Sequence, residues 1–142
     1  MSDNLIIRQA SPEEYELVSA HYKICGYRGG LEDNDQVFVA IDEQLIGAVR
    51  ICIENDVKVL RGMYLKPEFQ QKGIGVSMLN YLVQHTEMSG CYCLPYKHLI
   101  EFYGKIGFEE ISPRDAPGFL AERLKKYRGN GNRDITIMQI KK

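Results

Sequence analysis

The stretch Met63-Tyr64-Leu65-Lys66-Pro67-Glu68-Phe69-Gln70-Gln71-Lys72-Gly73-Ile74-Gly75 governs the reading of everything around it. Val57 to Leu65 reads as a strand, and Pro67 ends it. Beyond the glycines, Ile74, Met78, Leu79, Leu82 and Val83 recur at helical spacing, which predicts an amphipathic helix running to Glu87. A strand, a short turn and a helix start therefore meet at Gly73 and Gly75, which carry no side chain to block close approach to the backbone. The unpaired N–H groups of a helix start carry about half a positive charge and face whatever docks there. Lys72 adds a full charge. The guest suited to this corner is an anion, a phosphate above all.

Working back toward the N-terminus, Asn55-Asp56 and Asp42-Glu43-Gln44 are turn chemistry, and they separate strands at Val57–Leu65, Leu45–Glu54 and Val37–Ile41. These strands form an antiparallel meander. A polar loop from Gly26 to Asp35 precedes it. Earlier still, a strand Leu5–Arg8 leads to Ser11-Pro12-Glu13-Glu14, a capping box with Pro at the first helical position, and to a helix reaching Ile24. Toward the C-terminus, a strand Cys91–Leu94 precedes Pro95. Leu99, Phe102, Tyr103 and Ile106 then mark a helical face that Gly107 closes. Phe108–Ile111 is a candidate strand, Asp115-Ala116-Pro117 starts a helix that stops at Gly129, and Ile135–Ile140 is the last strand. Without repeats or low-complexity linkers, this order predicts an α+β sheet with helices on its faces.

Length and composition limit the function classes. At 142 residues, one domain spanning 1–142 is expected. Eighteen Lys and Arg against 19 Asp and Glu leave a net charge of -1, which disfavours nucleic acid as a partner. The longest charge-free run, Gly73–Thr86, contains Asn80 and Gln84 and falls short of the roughly 18 apolar residues a membrane helix needs. Met1–Gln9 has neither a basic start nor a long apolar stretch, so no leader and a cytoplasmic location are expected, with no membrane partner. Cys25, Cys52, Cys91 and Cys93 have no His pattern around them that would complete a metal site, so no metal is expected and reduced, structural thiols are.

Two phosphate-binding patterns fail at the glycine corner. A P-loop needs Lys and then Ser or Thr directly after its last Gly, where Val76 and Ser77 stand. A dinucleotide fingerprint needs Gly or Ala at position 78, where Met78 stands, and a parallel unit instead of a meander. What remains is Gln-x-x-Gly-x-Gly, matched by Gln70, Gly73 and Gly75, which resembles the acetyl-CoA signature of the GNAT superfamily of N-acetyltransferases. A second stretch, Leu99 to Phe108, resembles that superfamily's Tyr-x-Lys-x-Gly-Phe hallmark through Tyr103, Lys105, Gly107 and Phe108, in the right order and at the right distance. The resemblance covers Leu5 to Ile140. It departs at Tyr96, where many members carry Asn, and at the segment 115–128, longer than in the simplest members.

The resemblance implies a mixed, mainly antiparallel twisted sheet of six to seven strands flanked by helices, and acetyl-CoA as the acetyl donor. It implies cofactor contacts at Met63, Tyr64 and Leu65 through the backbone, at Gln70, Gln71, Lys72, Gly73, Ile74, Gly75 and Val76 around the pyrophosphate, and at Lys105. The acceptor would be a primary amine of a small molecule or peptide, and the protein a monomer or homodimer. A non-catalytic acyl-CoA-binding module is the alternative.

Acetyl transfer needs an acid for the departing thiolate and a base for the amine. Within the second motif, Tyr103 is the expected acid: a phenol with pKa about 10 and a thiol with pKa about 8.5 exchange protons readily. Its place on an apolar face also suits simple packing. The strand Val57–Tyr64 contains no acidic residue, so Glu54 at the hairpin, His21 on the first helix, or a water chain remain as bases. If Asn55-Asp56 is a two-residue turn, Arg50 falls opposite Arg61 on one face. Like charges so placed are destabilising unless an anion, either a substrate group or an internal carboxylate, sits between them; the alternatives are that both snorkel to solvent or to Glu54, or that the register is shifted by one.

Overall fold

The computed structural model describes residues 4–131 and 134–141. The chain divides into two compact units, Met1–Glu87 and Met88–Lys142. Among the described residues there are seven strands, mainly antiparallel, and four α-helices, the α+β fold that the sequence predicts.

The first unit is the meander with two helices. β1 (Ile6–Gln9), β2 (Gln36–Asp42), β3 (Gln44–Glu54) and β4 (Val57–Leu65) pair antiparallel in sequence order. Between β1 and β2 lie a 3-10 turn (Pro12–Glu14) and α1 (Tyr15–Ile24), and a 3-10 turn (Pro67–Phe69) and α2 (Ile74–His85) follow β4. The capping box is present, but its first turn closes as 3-10 before α1 begins. Arg8 donates to both oxygens of Glu14, at 2.7 and 2.8 Å, tying β1 to that turn.

The β3–β4 hairpin has the expected register, with Glu54 opposite Val57 and Arg50 opposite Arg61. Asn55 and Asp56 both take positive φ, 51° and 65°, as a two-residue turn matched to strand twist requires. Farther along, Ala48 pairs with Tyr64 while Arg50 pairs with Arg61, so Gly62 and Met63 together oppose Val49. This is a β-bulge, and Gly62 supplies the positive φ, +67°, that such a bulge demands.

On one face of this sheet Val37, Val39 and Ala48 pack with Val18 and Tyr22 of α1. Gly47 faces the other way, where a Cβ would collide with Leu65 and come within 3.2 Å of the Met78 sulfur of α2. Ile74, Met78, Leu79 and Leu82 are the buried side of α2, matching the predicted helical stripe, whereas Val83 is exposed.

The second unit contains β5 (Tyr92–Cys93), a 3-10 turn (Lys97–Leu99), α3 (Ile100–Gly104), β6 (Phe108–Glu110), a 3-10 turn (Pro113–Asp115), α4 (Gly118–Gly129) and β7 (Met138–Ile140). β7 lies between β5 and β6, antiparallel to both. Two predicted strands are shorter than expected. Cys91 closes a turn on Met88, and Ile135 makes only a bridge to Tyr96 before β7 begins at Met138. The four cysteines are thiols outside any disulfide, three of them buried, and burial pushes the thiols of Cys52 and Cys93 up, Cys52 to about 11. Among the described residues no helix is long and apolar enough to cross a membrane, and no cluster of side chains could hold a metal ion.

Candidate functional site

In the first unit the glycine corner folds as a brace and a cap. The Lys66 N–H donates to the Ile46 carbonyl at 2.9 Å, and the Gln70 side chain donates back to the Leu65 carbonyl at 3.1 Å. Gln70 thus stiffens the turn through its side chain. Gln71 and Gly73 both take positive φ, 62° and 82°, and Gly73 is the N-cap of α2. A Cβ built on Gly73 would meet no atom, so its backbone angle, and not crowding within the chain, calls for glycine there. The first intrahelical bond runs from the Ser77 N–H to the Gly73 carbonyl, leaving the N–H groups of Ile74, Gly75 and Val76 ahead of the helical ladder. The first turn holds no acidic residue. Exposed Lys72 stands beside it, its ammonium 5.9 Å over the Phe69 ring. A helix start with spare donors, a cation alongside and open space above a glycine can hold a phosphate.

Met63, Tyr64 and Leu65 follow the bulge and are half-buried. His21 Nε2 donates to the Tyr64 carbonyl at 2.9 Å. Burial lowers the His21 pKa and keeps the ring neutral. Its other nitrogen, Nδ1, is buried without a partner, so the ring acts as a brace on β4 and is poorly placed to serve as a base. Glu54 ends β3, its Oε2 3.9 Å from Arg61 Nη1. Met63 lies six positions along the strand from its partner Val57, a run of about 20 Å. The structure brings Glu54 to Arg61, and places it far from residues 63–65.

The two arginines face each other as expected, and each meets an internal carboxylate. Arg50 is fully buried, with Nε 3.6 Å from Asp35 Oδ2. Its Nε donates to the Cys52 sulfur at 3.3 Å and its Nη2 to the Tyr27 hydroxyl at 2.9 Å. Tyr27 stacks on Tyr64, ring centroids 4.8 Å apart, and meets Tyr22 edge-on at 4.7 Å. Tyr22, Tyr27 and Asp35 are the residues that sequence reasoning missed here. The one available signal was Gly62, a lone glycine inside a strand pattern and hence a candidate bulge.

In the second unit Tyr103 lies on α3, 7% exposed, edge-on to Phe108 at 5.9 Å and to Phe102 at 5.0 Å. Lys105 caps α3 and is exposed. Gly107 reverses the chain at φ +103°, which explains the glycine of the second motif. A cavity of about 440 Å³ along α4 is lined by Phe119, Glu122, Arg123, Lys125 and Lys126, none of them a motif residue.

The family model for the acetyltransferase (GNAT) domain matches residues 33–110, more than half of the chain. The protein belongs to the GNAT acetyltransferase family. No curated protein sequence matches it. Among solved structures, Rv2747 from Mycobacterium tuberculosis, in complex with CoA, is 18% identical with a TM-score of 0.68, over 96% of this chain and 99% of that one. The PaiA N-acetyltransferase of Thermoplasma acidophilum, also with CoA, is 20% identical with a TM-score of 0.60, over the full length of both. N-acetylglutamate synthase from Neisseria gonorrhoeae, complexed with CoA and N-acetyl-glutamate, is 18% identical with a TM-score of 0.65 over all of this chain. This GNAT chain spans about a third of that synthase, 36% of its length. The GNAT acetyltransferase domain accounts for residues 33–110, and CoA is a ligand in each of these three structures of the same fold.

Proposed function

We propose that residues 1–142 form one N-acetyltransferase domain that passes the acetyl group of acetyl-CoA to the primary amine of a small molecule or peptide by direct attack. The observation that carries this is the bulged β4 running into a helix start capped by Gly73 at φ +82°. That sequence of elements offers backbone donors for the donor's pyrophosphate at residues 73–76, with Lys72 adding charge. It also breaks the β-ladder at Gly62, just ahead of Met63 to Leu65, whose backbone would line the pantetheine arm and the thioester.

In the proposed step the amine nitrogen bonds to the thioester carbonyl carbon, and the carbonyl oxygen takes the negative charge. The C–S bond then breaks, Tyr103 gives its phenolic proton to the leaving thiolate, and solvent restores it. The amine sheds its proton to water, with Glu54 able to act only through a water chain.

For the acceptor, we infer an amine that also carries an anionic group. Arg61 is partly exposed and 3.9 Å from Glu54, beyond hydrogen-bond reach, and Arg50 lies directly across the hairpin. The N. gonorrhoeae synthase, which shares the fold, was solved with N-acetyl-glutamate, an N-acetylated amine bearing carboxylates. Release of free thiol from acetyl-CoA against a panel of amines tests the reading. Turnover with at least one amine is expected. CoA binding with no turnover on any amine would leave only the binding-module reading.

A further inference from the structure

Within the first unit, beneath the β4 bulge, two buried side-chain donors have no acceptor. They are Arg50 Nη1 and Tyr22 Oη, on side chains 0% and 2% exposed. Arg50 is cationic at any accessible pH, and burial raises the Tyr22 pKa, so both groups hold their protons. A buried donor left unmet costs about 1–3 kcal/mol, and native folds rarely keep two together without something to receive them. What is missing is oxygen with lone pairs.

The surroundings give that oxygen an identity. Arg50 and Asp35 are 3.6 Å apart, longer than a hydrogen bond, and the guanidinium gives its Nε–H to a weak acceptor, the Cys52 sulfur. The buried ion pair is therefore loose, and a second cation, Arg61, stands across the hairpin on the same face. Tyr27 and Asp35 bracket the loop between α1 and β2, and both are tied to this one guanidinium, so lifting that loop would expose it. Tyr22 Oη also adjoins the strand expected to carry the thioester, since a Cβ on Gly62 would lie 2.5 Å from it, and the Arg50 guanidinium carbon lies 5.7 Å from the Tyr22 ring centroid. Two unmet donors, an incompletely answered guanidinium and a second arginine suit a carboxylate, which takes parallel hydrogen bonds from a guanidinium fork.

We infer that Tyr22 Oη and Arg50 Nη1 bind the carboxylate of an α-amino acid acceptor, admitted when the Tyr27–Asp35 loop lifts. This rests on the acetyl-transfer reading and narrows its substrate to an amine whose carboxylate is one carbon away. The test titrates the CoA-loaded protein by calorimetry with each L-α-amino acid and with the matching decarboxylated amine. At least one amino acid should bind at least tenfold tighter than its decarboxylated partner. Tyr22→Phe removes only a hydroxyl that lacks a partner, so its Tm should equal or exceed that of the parent and its CoA affinity should match. It should weaken the amino acid about ten- to hundredfold, the range for one hydrogen bond to a charged group, and leave the decarboxylated amine unchanged.

Failure of every amino acid to bind overturns the inference. So does an unchanged amino-acid affinity in Tyr22→Phe, or equal loss for both ligands, which would mean that the two donors meet only water. Thiol release separates this inference from the broader reading. Turnover on amines without a carboxylate, with no amino acid bound, sinks the inference and leaves acetyl transfer standing. Amino-acid binding through Tyr22 without any thiol release sinks acetyl transfer and leaves the carboxylate site standing.

Discussion

Gly62→Ala tests the bulge on which the site is built. Gly62 sits at φ +67°, where an L side chain costs about 1–2 kcal/mol. The new methyl would also lie 2.5 Å from Tyr22 Oη, 2.9 Å from Tyr22 Cζ and 3.2 Å from Tyr27 Cε2. Both rings are packed against each other and against Tyr64, so neither can swing away freely, and overpacking of this kind costs about 1–3 kcal/mol. The two effects together predict a loss of about 2–5 kcal/mol, a large part of the roughly 5–15 kcal/mol that holds a domain folded. Urea unfolding should show a lower midpoint at unchanged slope. The same substitution in a Tyr22→Phe background separates the two effects. Without the hydroxyl the nearest collision is gone, so Gly62→Ala should cost less there, with a coupling of about 0.5–2 kcal/mol. A Gly62→Ala variant within about 0.5 kcal/mol of the parent, or a coupling near zero, would refute the bulge geometry and the placement of Tyr22 beneath it.

Gly73→Val forces a β-branched residue to φ +82° at the cap of α2 and should weaken CoA binding at least tenfold in a calorimetric titration; parental affinity in a folded variant would remove the helix start from the donor site. Tyr103→Phe keeps the ring and its contacts with Phe102 and Phe108, and the single-turnover rate constant should fall about 10²- to 10⁴-fold; an unchanged rate constant would leave Tyr103 as packing. The Arg8 hydrogen bonds hold the Glu14 carboxyl at about 2, below its ordinary 4.5, so the pair's stabilisation is present above pH 4.5 and is lost as pH falls toward 2. Because Arg8 is well exposed the effect is about 0–1 kcal/mol, and Glu14→Gln should abolish that part of the acid limb in denaturant titrations at stepped pH.

The parts of the fold legible in the sequence were those fixed by local chemistry. Asn55-Asp56 set the β3–β4 register because only a tight turn with two positive φ angles closes that hairpin, and the register then placed Arg50 against Arg61 without further information. Gly107 was legible for the same reason, as a helix end, whereas Gly73 is legible as room for close approach and its left-handed backbone angle is not. The C-terminal strands were overestimated because Cys91 and Ile135 are apolar and β-prone, yet tertiary contacts with Met88 and Tyr96 spend their backbone groups in a turn and a bridge. In the sequence Asp35 belongs to a polar loop. Nothing in a one-dimensional pattern says that a loop carboxylate folds inward, since that depends on where α1 carries the chain before β2 begins.

That inward carboxylate changes what the two arginines mean. Read as a sequence, the pair is a repulsion awaiting an anion. In the folded chain Asp35 answers one charge and Glu54 the other, so overall charge balance no longer requires a ligand. The argument for a ligand moves from charge to hydrogen bonds. Balanced charge would also be achieved by two tight, fully bonded ion pairs, but neither distance here, 3.6 or 3.9 Å, is a hydrogen bond. Asp35 Oδ2 accepts instead from the Glu32 backbone N–H at 2.9 Å, which fastens the loop's own turn. A carboxylate held by its loop neutralises Arg50 at a distance and leaves Nη1 and Tyr22 Oη without an acceptor. Net charge thus favours the closed, ligand-free chain, while the unmet donors favour a visiting oxygen. A buried guanidinium in that balance can hold the loop shut in the absence of acceptor and still take hold of one when it arrives.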